Sequence, residues 1–467
     1  MTHQYTAEIA ERIQRIEHNI LPDPFAWKQD TPRTTLAERM AFYRTPGVSV
    51  AVVNNGEIEW ARGYGVLEAG RAEPVTTETI FQVCSVSKHV AMVGTLRLAQ
   101  EGVLDLDEDS NRYLTSWKLP ANGSWQPRVT IRQLLGHTAG LSYNWFRGFR
   151  RGEATPTLLQ VLEGQPPANT PPVRAALIPG SVYRYSGSHY SVLQQLLIDV
   201  TGKPFPELMR ELVFEPLEMR NSCYDQSYPD SRSTSTAVGH DIGGDPLPGK
   251  WRVIPEMAGA GLWTTATDLA KLACEIQRAH LGKPTSFLKQ EMVDQALKAQ
   301  VAPSFGLGLH LEGRGATRRF GHGGSNIGYR CLSNAYVEHG MGAVVLTNSD
   351  DGDAVLSDLF RAIAQEYAWP DYQPQRVPVM MSPDSLHIYT GEYESRRGFV
   401  LLISQRDDRL FLEAKGQSPI ELRPSSENTF FAQALDSEIS FAKNEAGEVT
   451  GLSLKQEEQQ MGAKKVR

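Results

Sequence analysis

Strand signals at both ends of a long, largely helical stretch constrain this chain more than any other feature of its sequence. Residues 47–66, GVSVAVVNNGEIEWARGYGV, read as two β-strands joined at Asn55-Gly56, a dipeptide suited to the left-handed residues of a tight hairpin. Strand signals return at 331–336 and at 342–348, GAVVLTN, followed by a helix over about 354–367. The segment 129–278 reads as short helices and irregular loops, with Pro/Gly-rich breaks at GQPPANTPP and GHDIGGDPLPG. A sheet assembled from both chain ends around a helical insert gives an α+β fold class.

The chain of 467 residues has room for a second unit. Residues 369–385 are proline-rich and unperiodic, and beyond them FVLLISQRDDRLFLEAKG and EISFAKNEAGEVTGLSL read as strand pairs around polar turns. The expected division is a large first domain over 1–370, a linker over 371–384 and a small antiparallel β-barrel over 385–467. A net charge of -7 with no basic stripe argues against nucleic acid and acidic membrane surfaces as partners. No segment is long and apolar enough for a membrane span. The first residues carry Ile9, Ile13 and Ile16 at helical spacing and no apolar signal core, so a cytoplasmic location is expected. The four cysteines show no metal spacing, and the eleven histidines form no H-E-x-x-H; neither metal nor cofactor is expected.

The motif S-x-x-K occurs at Ser85/Lys88, Ser286/Lys289 and Ser440/Lys443. The last pair lies in a strand, where residues three apart point to opposite faces. Ser286 reads as a local helix cap. Ser85/Lys88 alone follows a strand-like lead, TIFQV, and opens a buried helix over 86–100 capped by Gly102. On that helix positions i and i+3 share a face, so the amine can reach the hydroxyl. Burial would lower the lysine pKa enough for it to act as a base, and the helix start offers free N–H groups for an oxyanion. A plain N-cap serine with a solvated lysine is the bland alternative. Cys84 is a rival nucleophile on paper, but reads better as a small buried thiol.

Two distant stretches bear on that choice: PGSVYRYSGSHYSVLQQLLIDVTG, with Tyr185 ahead of a buried helix, and RRFGHGGSNIGY, with His322 and two glycines at a strand edge. With S-x-x-K, the tyrosine motif and a K/H-x-G motif in this order, the chain resembles the penicillin-binding-protein-like serine hydrolases, in the class C β-lactamase, esterase and D-aminopeptidase branch. VTIRQLLGHTAGLS, FEPLEM and GAGLWTTATDLAKLACEIQ also look like that family, and the resemblance spans about 46–367. It implies an antiparallel sheet with helices on both faces and a mostly helical subdomain. It also implies Ser85 as acylated nucleophile, with Lys88 and Tyr185 sharing acid and base work and a tyrosinate stabilised by the ammonium. His322 would lie at the rim of the cleft in place of a lysine. The oxyanion would be held by the N–H groups of Ser85 and Ser325, with Gly323 and Gly324 allowing close substrate approach. The C-terminal meander resembles a lipocalin-like domain, expected to pack or assist assembly, or to limit substrate size.

One departure stands out. The family motif is Y-x-N, whereas this chain has Tyr185-Ser186-Gly187. Ser188, His189 or Asn326 are the candidates to replace the missing amide near Gly187. Together with His322 for lysine, this tilts the expectation toward esters or D-amino-acid-containing peptides and amides as small-molecule or peptide substrates. The alternatives are an acyltransferase or peptide cyclase using the same acyl-enzyme, a β-lactamase, and a catalytically silent ligand-binding homologue. Assembly as a homo-oligomer is left open.

Overall fold

The computed structural model describes residues 5–21, 33–370, 379, 381–395, 398–406, 408–414, 419–432, 437–456 and 459–466. The chain divides into two compact units, with the boundary between Gln373 and Pro374. In the first, a six-stranded antiparallel sheet runs in the order Glu57–Gly65, Gly47–Asn54, Gly342–Thr347, Tyr329–Tyr336, Arg319–Asn326, His310–Glu312. The hairpin at Asn55-Gly56 has φ of 54° and 77°, the left-handed pair that matches strand twist. Gly47–Asn54 is the hinge of the topology, since Val50 pairs with Arg62 on one side and with Val345 on the other.

Alternation along that strand sorts side chains to two cores. Val48, Val50 and Val52 meet Ile13 and Ile16 of helix Ala7–His18 and Val355, Leu359 and Ile363 of helix Gly352–Glu366. Ala51 and Val53 face a larger cluster with helices Val86–Gln100 and Ala266–His280. Each fully buried aliphatic side chain contributes about 1.5–3 kcal/mol, so a register slip of one residue would forfeit both faces together. Helix Val86–Gln100 is buried on every side from Val86 to Leu96, which is the pattern of a core helix.

The other two S-x-x-K pairs are structural. Ser440 and Lys443 lie on strand Ser437–Lys443, and Lys443 Nζ reaches Glu427 Oε1 at 2.8 Å. Ser286 is not the cap that was expected: the following helix, Gln290–Ala296, has Lys289 at its N-cap, and it is the Thr285 hydroxyl that accepts the Phe287 N–H at 3.0 Å.

The second unit is a closed antiparallel barrel of eight strands, from Gly391–Ser395 to Gln459–Lys465, closed by pairing of its first and last strands. Tyr389, Tyr393, Phe430 and Phe441 form one aromatic cluster in its interior. Residues 371–378 and 380 of the expected linker lie outside the described residues. Its later part is tied to the barrel: Val379 N–H donates to Pro424 O at 2.8 Å, Met381 packs on the barrel core, and Pro383–Leu386 is helical. Among the described residues no helix is long and apolar enough to cross a membrane.

Candidate active site

Ser85 occupies the N-cap position of helix Val86–Gln100, but with φ -66° and ψ -14° it makes no side-chain capping bond. An ordinary N-cap serine is extended and spends its oxygen on a helix N–H. Here the hydroxyl is left to Lys88, whose Nζ lies 3.0 Å from Ser85 Oγ. The preceding Cys84 is fully buried and has a left-handed φ of 56°, a conformation costing on the order of 1–3 kcal/mol in a non-glycine residue. Bonds on both sides hold this turn in place. Ser87 Oγ donates to Cys84 O at 2.5 Å and accepts from Leu262 N at 3.0 Å, while Val83 N–H donates to Leu262 O at 3.0 Å.

Lys88 is 1% exposed. Its Nζ donates to Gly259 O at 2.6 Å and lies 5.1, 5.6 and 5.9 Å from the ring centres of Tyr185, Tyr190 and Phe146. Burial among rings removes the water that stabilises an ammonium, and the pKa falls to about 7, opposed only by Cys84. The amine is thus poised to take a proton near neutrality.

Tyr185 is partly accessible, immediately before helix Gly187–Thr201. The tyrosinate expected from the resemblance is not favoured. Burial pushes the Tyr185 phenol up, and the hydrogen bond with Ser85 offsets this only in part. The ring is backed by imidazoles, with His137, His322 and His310 at 4.2, 6.0 and 6.5 Å between ring centres. Burial drives the pKa of all three down, so the wall behind the phenol is neutral.

Strand Arg319–Asn326 passes the Ser85 turn. His322 is not at a rim: it is 3% exposed, its Nδ1 bonds Gly323 O at 2.6 Å, and its Nε2 has no hydrogen-bond partner among the described residues. The two glycines differ in purpose. A Cβ at Gly323 would meet nothing closer than Cys331 O at 3.9 Å, leaving room above the strand. A Cβ at Gly324 would fall 2.5 Å from Val83 O and 3.0 Å from Cys84 Cβ, so this glycine admits the chain's own turn and not a substrate, which corrects the expectation. Ser325, the next residue on the strand, is exposed. Gly324→Ala should lower the melting temperature by the equivalent of about 1–3 kcal/mol of overpacking, with activity falling in parallel, whereas Gly323→Ala should melt like the parent. Thermal denaturation of the two variants checks this.

Of the three candidates for the missing amide, Asn326 and His189 are engaged elsewhere, and the Ser188 hydroxyl is sealed from solvent with no hydrogen-bond partner among the described residues. Asn326 is buried and donates to Gln82 Oε1 at 2.8 Å and Ala260 O at 3.3 Å, stapling the strand to the segment that leads into Ser85. His189 Nδ1 pairs with His137 Nδ1 at 2.8 Å, and its Nε2 accepts from Leu141 N at 3.4 Å. Ser188 is fully buried. At Gly187 no side chain fits, because a Cβ there would lie 2.3 Å from the Phe146 ring. Phe146, Gly259, His137 and His310 are therefore site residues that sequence reasoning missed. His137 and Gly259 left a trace, within the family-like stretches GHTAGLS and GAGLWTTATDLAKLACEIQ.

Comparison with known proteins identifies the family. A family profile described as Beta-lactamase matches residues 33–368, and one described as a domain of unknown function, DUF3471, matches 375–466. Penicillin-binding protein 4* of Bacillus subtilis is 23% identical over 439 residues, covering 88% of this chain and 92% of that protein. The D-aminopeptidase of Brucella anthropi is 25% identical over 324 residues, covering 66% of this chain and 57% of its own length. Among solved structures, the octameric penicillin-binding protein homologue from Pyrococcus abyssi aligns with a TM-score of 0.59 at 20% identity, over 91% of this chain and 98% of that one, a likeness of fold. The chain belongs to the β-lactamase family of serine hydrolases and carries a closed barrel domain at its C-terminal end.

Proposed function

We propose that the protein hydrolyses esters or D-amino-acid amides through an acyl-enzyme on Ser85. The observation that carries this is the 3.0 Å approach of Ser85 Oγ to a buried Lys88 amine whose pKa lies near 7. Neutral Lys88 takes the hydroxyl proton as Ser85 attacks the carbonyl. The N–H groups of Ser85, at a helix start, and of Ser325 stabilise the oxyanion. Tyr185, protonated at rest, gives its proton to the departing alkoxide or amine and is reprotonated by the Lys88 ammonium. Water then repeats the sequence on the acyl-serine, with Lys88 again the base. His322 stays neutral and provides no fixed cation for a substrate carboxylate, which favours substrates without one. The D-aminopeptidase among the relatives supports the amide arm of the reading.

The test is covalent trapping. Mixed with a p-nitrophenyl ester, the enzyme should release a burst of nitrophenol equal to its own concentration. The acyl mass should then be found on the peptide containing Ser85. D-amino-acid p-nitroanilides provide the amide arm, and added amines report whether water alone accepts the acyl group. An adduct on another residue, or binding without any adduct, would overturn the reading.

A further inference from the structure

The Phe146 ring fills the space beside the Ser85–Lys88 pair that would otherwise take a side chain from residue 187. A Cβ at Gly187 would stand 2.3 Å from its Cζ, and on the other side a Cβ at Gly259 would stand 2.4 Å from its Cε2. The ring is thus wedged between two backbones that are free of side chains, and its centre is 5.9 Å from Lys88 Nζ. It is also held in place from behind. Asn144 N–H donates to Ser186 Oγ at 3.1 Å, Gly187 N–H donates to Asn144 O at 3.0 Å, and Ser186 Oγ donates to Ser142 O at 2.8 Å. Gly148 at φ 64° lets the chain turn back against Ile254, whose Cδ1 would be 2.5 Å from a Cβ there.

The amide side chains around this wedge are bonded within the protein or closed off from solvent. Asn326 binds Gln82 and Ala260, and Gln82 Nε2 donates to Arg252 O at 2.9 Å. Gln194 binds Pro255 O and Ala258 N at 3.2 and 3.0 Å. The Asn144 Nδ2 donates to Pro171 O at 3.3 Å, while its Oδ1 has no hydrogen-bond partner among the described residues and is closed off from solvent. An acyl group bound at Ser85 therefore meets an aromatic face beside which the amide side chains are either hydrogen-bonded within the protein or, like Asn144 Oδ1, closed off from solvent.

We infer that Phe146, wedged between Gly187 and Gly259, is the specificity-determining residue of the acyl side, selecting apolar acyl groups over those that carry an amide. This rests on Ser85 as the acylated nucleophile. An apolar chain gains contact with the ring, while an amide in the same place gives up water for no partner.

Two esters with one leaving group test it: p-nitrophenyl pentanoate and p-nitrophenyl N-acetylglycinate, equal in length, the second with an amide in the chain. The readout is the ratio of their kcat/KM values in each variant. The parent should prefer the pentanoate ester. Phe146→Ala should lower the pentanoate rate by roughly tenfold or more and the N-acetylglycinate rate by far less, the range expected for lost apolar contact in a pocket. Gly187→Asn should collide with the ring and lose activity on both. Phe146→Ala/Gly187→Asn should regain activity and move the ratio toward N-acetylglycinate by about tenfold or more, because coupled positions do not act additively. If Ser85→Ala is inactive but the ratio is the same in parent, Phe146→Ala and the double variant, the inference falls and the serine-hydrolase reading stands. If Ser85→Ala keeps full ester turnover, both fall together.

Discussion

Ser85→Ala should abolish ester turnover, by about 10³-fold at the least and up to about 10⁶-fold, as removal of a nucleophilic serine does. The same change should leave the melting temperature nearly unaltered. An N-cap serine that bonds its helix loses about 1 kcal/mol on replacement by alanine, but Ser85 makes no such bond. The paired measurement therefore separates the two readings of the motif. Loss of activity with stability retained marks a working nucleophile; loss of stability with activity retained marks a cap.

The second large effect concerns pH. Lys88 must be neutral to accept the Ser85 proton, so kcat/KM should rise with pH through a single ionisation near 7 and level off above it. An ordinary lysine, with a pKa near 10.4, would be neutral in fewer than about one molecule in a thousand at pH 7, so the rise would continue into alkali. Glu256 is a second buried group in this window, its carboxyl pushed up to about 7 by burial. Glu256→Gln removes that ionisation and should leave the ascending limb in place. Lys88→Arg should lower kcat/KM by about 10²–10⁴ and remove the limb, since a guanidinium keeps its proton. A limb that vanishes in Glu256→Gln and persists in Lys88→Arg would assign the base wrongly. Stability moves in the same direction, over the interval above the activity limb. Between about 7 and 10 the unfolded chain holds a proton that folded Lys88 has released, so the Lys88 contribution to stability grows more favourable as pH rises through that interval.

What the sequence made legible was local or periodic. Ser85 and Lys88 meet because residues three apart on one helix must share a face, and the turn at Asn55-Gly56 declares itself by composition. Burial of strand Gly47–Asn54 on both faces, by contrast, emerged only in the structure. Contacts between distant segments were not legible. Asn326 has the right chemistry for a substrate amide, yet its partner is Gln82, 244 residues away. Gly187 reads as an absence until Phe146 is seen in the space. The pKa of Tyr185 depends on burial and not on its sequence neighbours, so motif order alone suggested the wrong protonation state. The small barrel expected from strand pairs and their turns is closed in the structure, where its first strand meets its last.

Val48 is hydrogen-bonded across the sheet to the strand holding Thr347, so the framework of the site cannot close until most of the polypeptide has left the ribosome. Until then the early hairpin carries a bare apolar edge, and the segment bearing Ser85 lacks the Gly324 strand that will lean on it. Messages truncated before that strand should accordingly yield insoluble, unreactive fragments. The reactive serine is thus translated long before the strand that completes its surroundings.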